Sequence, residues 1–222
     1  MLDSSSNIYV GTQNQGVMKF APNGTLLRTF NSSSPAFVAS GVALDSANNV
    51  YVSDTQDGRA GQVIKFSPNG TVVFTYAPTT GSSAALSYPA GLAVDGDGNV
   101  WICDSGNNRL VKVSADFTTA LQTIVLPARS FGVVLDAAGY MYLTSSANST
   151  AASWPILVLA PNGTQVASYP VSSSINGILR TACDRDWSCE QGCDRAVTGA
   201  VTVAVAGTVM PSHDKNNQHD SG

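Results

Sequence analysis

Charge is scarce in this chain. Lys, Arg, Asp and Glu together make up 12% of its 222 residues, against about 25% in an average domain. The eleven basic residues form no cluster and the net charge is −4, so little is available to neutralise phosphates, which disfavours nucleic acid or an anionic membrane surface as a partner. Histidine occurs only at His213 and His219, and no serine stands in a G-x-S-x-G elbow. Acid–base and nucleophilic catalysis therefore find no foothold in the body of the chain.

Long apolar runs are missing too. The longest, AVTGAVTVAVAGTVM from Ala196 to Met210, is too short and too rich in Thr and Gly to cross a bilayer. MLDSSSNIYV has neither a basic start nor an apolar core, so it does not read as a signal peptide. There are four cysteines. Cys183, Cys189 and Cys193 are spaced C-x5-C-x3-C, while Cys103 falls in an expected strand. That spacing fits no common zinc pattern; a disulfide among the three would follow if the protein is exported, leaving one odd thiol.

What the sequence does contain is a repeat. LDSSSNIYVGT from Leu2, LDSANNVYVSD from Leu44, VDGDGNVWICD from Val94 and LDAAGYMYLTS from Leu135 align without gaps. Six residues after each aspartate (Asp3, Asp45, Asp95, Asp136) comes an aromatic: Tyr9, Tyr51, Trp101, Tyr142. Four residues before the last three aspartates stands a glycine: Gly41, Gly91, Gly132. APNGT, SPNGT and APNGT run in step, and positions 22, 68, 115 and 161 are spaced by 46, 47 and 46. Each copy reads as four short strands, with PNGT as a tight hairpin and no helical period in any window. Four strands every ~46 residues predicts an all-β chain of propeller blades.

The stretch GLAVDGDGNVWICDSGNNRLVKVS resembles the NHL repeat at Gly91, Asp95, Gly98, Asn99, Asp104, Gly106, Asn107 and Arg109. The second copy matches at Gly41, Asp45, Asn49, Asp54 and Arg59; the first and fourth lack the Asp–Arg pair, with Gly11 and Thr144 expected at the aspartate's place. The resemblance implies an NHL-type β-propeller over residues 1–177, in four-stranded blades at about 2–30, 36–77, 86–126 and 131–170. A degenerate fifth blade could open at SINGIL around Gly177. Residues 178–211, with the three cysteines, are expected to be a diverged or inserted segment, and 212–222 a disordered tail. Closed NHL rings of about six blades need roughly 270 residues, so the chain is expected to be part of a larger NHL protein whose open blade edges allow self-association.

Asp95, Asp97 and Asn99 imitate the start of a calcium loop, but Val100 and Gly106 occupy the sixth and twelfth places, where an EF-hand needs glycine and a bidentate glutamate. The expected role is a turn. Asp54 with Arg59, and Asp104 with Asn107 and Arg109, are expected on the loop face that propellers use for binding, where an Asp–Arg pair either braces the loop or the blade junction or takes part in recognition. The resulting reading is a non-catalytic scaffold for a protein, peptide or glycan, with no cofactor. The alternative is a lyase- or lactonase-type enzyme with zinc or calcium in the channel. Sequons at Asn23, Asn31, Asn69, Asn148 and Asn162 point toward N-glycosylation and a secreted or extracellular location.

Overall fold

The computed structural model describes residues 1–13, 15–32, 37–55, 61–78, 84–145 and 155–169. These residues form four antiparallel sheets, each an up-and-down meander in chain order. The first contains β1 (Ile8–Gly11), β2 (Val17–Phe20) and β3 (Leu26–Phe30). The second contains β4 (Ala39–Leu44), β5 (Val50–Asp54), β6 (Gln62–Phe66) and β7 (Val72–Tyr76). The third contains β8 (Pro89–Val94), β9 (Val100–Asp104), β10 (Arg109–Val113) and β11 (Ala120–Val125). The fourth contains β12 (Ser130–Leu135), β13 (Met141–Ser145), β14 (Ile156–Leu159) and β15 (Gln165–Tyr169). In the first sheet the inner strand is reduced to a bridge between Leu2 and Ile8, backed by mutual backbone hydrogen bonds between Met1 and Tyr9.

The sheets are blades, and their order follows from which faces are apolar. Tyr9, Phe30, Phe37 and Phe66 close the first blade onto the second. Tyr51, Tyr76, Ile102 and Phe117 close the second onto the third. Trp101, Leu110, Met141 and Leu157 close the third onto the fourth. The middle strands β5 and β9 are buried along their whole length, whereas β3 and β7 are exposed except for Phe30 and Tyr76 at their ends. Burial of each such side chain contributes about 1.5–3 kcal/mol.

Glycine sets how closely the inner strands approach. A Cβ on Gly91 would lie 2.6 Å from Gly132 Cα and 2.8 Å from the Phe131 carbonyl oxygen, and one on Gly41 would strike the Ala90 carbonyl oxygen. The glycine four residues before each aspartate is thus the contact between neighbouring inner strands. A register shift accompanies it in β4, β8 and β12, as expected where a bulge re-aims a strand.

The third blade departs from the PNGT hairpin. Phe117 occupies the glycine position there with φ +62°, where Gly24, Gly70 and Gly163 have φ of +85° to +88°. Left-handed backbone is unfavourable for a bulky residue. Phe117 is buried and stacks on Tyr51 at 6.0 Å and Phe74 at 6.2 Å, so packing between the second and third blades offsets the strain.

Candidate binding face

In an up-and-down blade, the first-to-second and third-to-fourth strand turns lie at one end. The second-to-third strand loop and the connection to the next blade lie at the other. The two ends use their aspartates differently.

At the first end, each repeat aspartate organises its own turn. Asp95 Oδ1 accepts the Asp97 and Asn99 backbone N–H groups at 3.0 and 2.9 Å; its Oδ2 accepts Asn99 Nδ2 at 3.1 Å and pairs with Lys112 Nζ at 2.9 Å. Asp3 and Asp45 repeat the scheme with Asn7 and Lys19, and with Asn49 and Lys65. The aromatic six residues on completes it. Tyr9, Tyr51 and Tyr142 donate their hydroxyls to Asp3, Asp45 and Asp136, and the three lysines sit 4.9–5.3 Å above the Tyr9, Tyr51 and Trp101 rings, a favourable cation–π placement. Burial would raise the Asp3 carboxyl, but donors from Asn7 and Lys19 outweigh it and hold it down to about 2. Asp45 and Asp95 are likewise lowered against burial by their donors. DGDGN is therefore a turn whose carboxylate is already engaged by protein donors. Among the described residues no three His, Cys, Asp or Glu side chains are grouped to hold a metal.

At the other end, Asp104 closes β9 with its side chain fully buried. Its Oδ1 accepts the Ser87 N–H at 2.7 Å, and its Oδ2 accepts Asn107 Nδ2 at 2.8 Å and Arg109 Nε at 2.6 Å. Arg109 Nη2 extends to the carbonyls of Ala84 and Ala85 at 3.1 and 3.0 Å, and Asn107 Nδ2 also donates to Ala85. The three residues expected at a binding surface thus form one cluster that clamps the segment leading into β8. Asp54 holds the equivalent place in the second blade, accepting from the Val38 N–H and Gln62 Nε2 at 2.9 Å each. Arg59 lies outside the described residues. Thr12 and Ser145, not Gly11 and Thr144, stand where the first and fourth blades would have this aspartate: Ser145 pairs with Ser130 as Asp104 pairs with Pro89. The gapless repeat alignment puts Thr12 and Ser145 at that same place, and Gly11 and Thr144 one residue before it.

Sequence reading places Tyr88 only within a loop between blades and does not single it out. It follows the clamped Ser87, has φ +48°, and is 61% exposed. A bulky residue in left-handed backbone is a strained conformation. Here Asp104 on the Ser87 N–H and the Gly106 N–H on the Ser87 carbonyl, at 2.8 Å, hold it. No residue pattern around Tyr88 signalled this, since the strain comes from contacts with a loop 17–19 positions away.

Cys103 is buried in β9, its thiol pushed up to about 12 by burial, which keeps it protonated and inert near neutral pH. Cys183, Cys189 and Cys193 lie outside the described residues, as do His213, His219 and Asn148. Asn23, Asn31, Asn69 and Asn162 are exposed. No helix among the described residues is long and apolar enough to cross a membrane.

Residues 86–113 match the NHL repeat family model, and no curated protein matches the chain. Similar solved structures include a streptogramin B lyase, at 17% identity and TM-score 0.59, covering 78% of this chain and 54% of that one. Virginiamycin B lyase from Staphylococcus aureus is similar at 16% identity and TM-score 0.58, covering 78% of this chain and 55% of that one. A chain of the nidogen/laminin complex is similar at 19% identity and TM-score 0.58, covering 74% and 60%. The fold is that of NHL-type β-propeller blades, and the chain spans little more than half the length of these structures. The fold alone accommodates both a lyase and a binding protein, so function has to be argued from the site.

Proposed function

We propose that the chain is a binding propeller whose loop face, built by the β9–β10 loop and the segments between blades, recognises a protein partner. One observation carries this reading. The Asp104–Asn107–Arg109 cluster commits three polar side chains to holding a loop that presents a strained, exposed Tyr88. Tyrosine on a rigid loop is the type of side chain that anchors interfaces, with a large ring, a polar tip and few rotamers to freeze. In this reading Asp104, Asn107, Arg109 and, in the second blade, Asp54 are positioning residues, and the loops around them make contact. The likeness to a chain of the nidogen/laminin complex lends support, since that protein is named as part of a protein–protein complex.

The test is site-specific photocrosslinking in the organism that makes the protein. A photoreactive residue at Tyr88 is expected to trap one discrete partner, and R109A is expected to abolish the product. The same residue at Leu121, exposed on the outer strand β11, is expected to trap nothing discrete. Equal labelling from the two positions, or none from Tyr88, overturns the proposal.

Two further readings have specific support. Streptogramin-type lyases share the fold, so an enzyme with a metal in the channel is the competing class; stoichiometric zinc or calcium in the purified protein would favour it. Self-association is favoured by Leu2, Ile8 and Val10, which are 52%, 38% and 43% exposed on the first blade. The counterparts of Ile8 and Val10 in the other blades, Val50, Val52, Val100, Ile102, Met141 and Leu143, are fully buried against the preceding blade, and those of Leu2 are half-buried. Sedimentation of the wild type against I8K/V10K checks it: a wild-type dimer that the double variant converts to monomer supports this reading.

A further inference from the structure

Charge is sorted between the two ends of the blades. Asp3, Asp45, Asp95, Asp97, Asp116 and Asp136 all stand in the first-to-second or third-to-fourth strand turns, where Lys19, Lys65 and Lys112 pair with three of them. The two remaining described aspartates, Asp54 and Asp104, lie at the loop end and are buried. Among the described residues the loop face therefore offers no exposed carboxylate. Asp57 and Arg59, outside the described residues, cancel in charge.

Two described arginines belong to this face. Arg109 is engaged by Asp104 and by the Ala84 and Ala85 carbonyls. Arg129 is exposed and makes no hydrogen bond or ion pair among the described residues.

The inner-strand register fixes the place of Arg129. A Cβ on Gly91 would lie 2.6 Å from Gly132 Cα, and Pro89 pairs with Asp104 as Ser130 pairs with Ser145. Both β8 and β12 run from the loop end to the turn end. Tyr88 and Arg129, each three residues before its glycine, therefore stand at one level on neighbouring inner strands. Phe131 follows two residues later and is also exposed. The fold does not require a ring there, since Ser40 and Ala90 hold the same place in the second and third blades.

From this juxtaposition we infer that Arg129 receives a carboxylate from an acidic peptide segment of the partner, with Tyr88 and Phe131 packing against the side chains that flank the acid. The inference rests on the binding role proposed above and names the partner's chemistry. A guanidinium takes a carboxylate through two parallel N–H···O bonds, and Tyr and Arg are enriched among the residues that anchor interfaces. The aspartate-rich turn end would repel the same peptide, so charge also selects the end of the blades that it meets. One unpartnered arginine suits one carboxylate, whereas recognition of phosphorylated motifs draws on clusters of arginines.

The test places a photoreactive residue at Tyr88 in wild-type, R129K, R129Q and R129E backgrounds, in the organism that makes the protein, and sequences the trapped segment by mass spectrometry. That segment is expected to hold an aspartate or glutamate. Its yield should persist in R129K and fall about tenfold or more in R129Q and R129E. A synthetic peptide of the segment is then titrated against the purified protein, with its acids intact or replaced by their amides. The amide form should bind weakly to wild type, and the acidic form weakly to R129E. All three variants should keep the wild-type Tm, because Arg129 holds nothing together in the described blades. A discrete partner whose capture and peptide affinity ignore R129Q and R129E overturns this inference and leaves the binding face standing. A trapped segment without an acid does the same. No partner at Tyr88 overturns both.

Discussion

Arg109 reaches back five residues to place Nε 2.6 Å from Asp104 Oδ2, and Asp104 is fully buried. The pair sits between the β9–β10 loop and the chain entering β8. R109A should leave a buried carboxylate short of its cation and cost about 3 kcal/mol. R109K keeps the charge but loses the fork onto Ala84 and Ala85, and should cost about 1 kcal/mol. Urea unfolding distinguishes them, and equal losses would show that charge, not the planar fork, holds the loop.

The backbone contact between Gly91 and Gly132 makes a second prediction. G91A drives a methyl group to 2.6 Å from Gly132 Cα and should destabilise by about 1–3 kcal/mol through overpacking. G96A, where a Cβ meets nothing within 4 Å, should stay within about 0.5 kcal/mol of wild type. Thermal melts of the two proteins under one condition check the contrast.

Ser53 and Thr144 occupy the same place in the second and fourth blades and should respond with opposite sign. Ser53 Oγ accepts the Gly41 N–H at 2.7 Å and donates to the Ala90 carbonyl at 2.5 Å, bridging two blades. S53A should cost about 1–3 kcal/mol. Thr144 Oγ1 is buried with no hydrogen-bond partner among the described residues, so T144V, which keeps the shape and removes the hydroxyl, should gain about 1 kcal/mol. A loss in T144V would mean that the hydroxyl is satisfied in solution.

The repeat aspartates set the acid limit of stability. The carboxyls of Asp3, Asp45 and Asp95 are lowered in the fold, Asp3 to about 2, against about 3.9 unfolded. A depressed carboxyl stabilises fully above the unfolded value, and that contribution is lost as pH falls through the folded one. Tm should therefore hold level down to about pH 4.5 and drop between about 4 and 2. D45N/D95N should flatten the part of the drop that those two carry. A Tm decline already complete at pH 5 would contradict the assignment.

Much of the fold was legible because the repeat writes local chemistry at fixed offsets. An aspartate and a tyrosine six residues apart are a carboxylate and the hydroxyl that bonds it; where Trp101 stands instead, the hydroxyl is lost and Lys112 keeps the pairing that Lys19 and Lys65 make in their blades. Asn-Gly in PNGT is a left-handed glycine closing a hairpin. The candidate site was half legible. Asp104 and Arg109 were legible as a pair bracing a loop or a blade junction, and they are one, but the full burial of Asp104 and the choice of residues 84–87 as the braced segment were not, because that segment belongs to no motif.

The sequence by itself determined the blades: strand spacing, hairpin chemistry, the engaged turn carboxylates and the inner-strand glycine are local and periodic. Tertiary structure alone decided which way each sheet face points, that Phe117 could take a glycine's backbone by stacking on Tyr51 and Phe74, and that Tyr88 is held strained in solvent. Each of those depends on contacts between segments far apart in the chain, whose energies outweigh the local preference of the residue concerned.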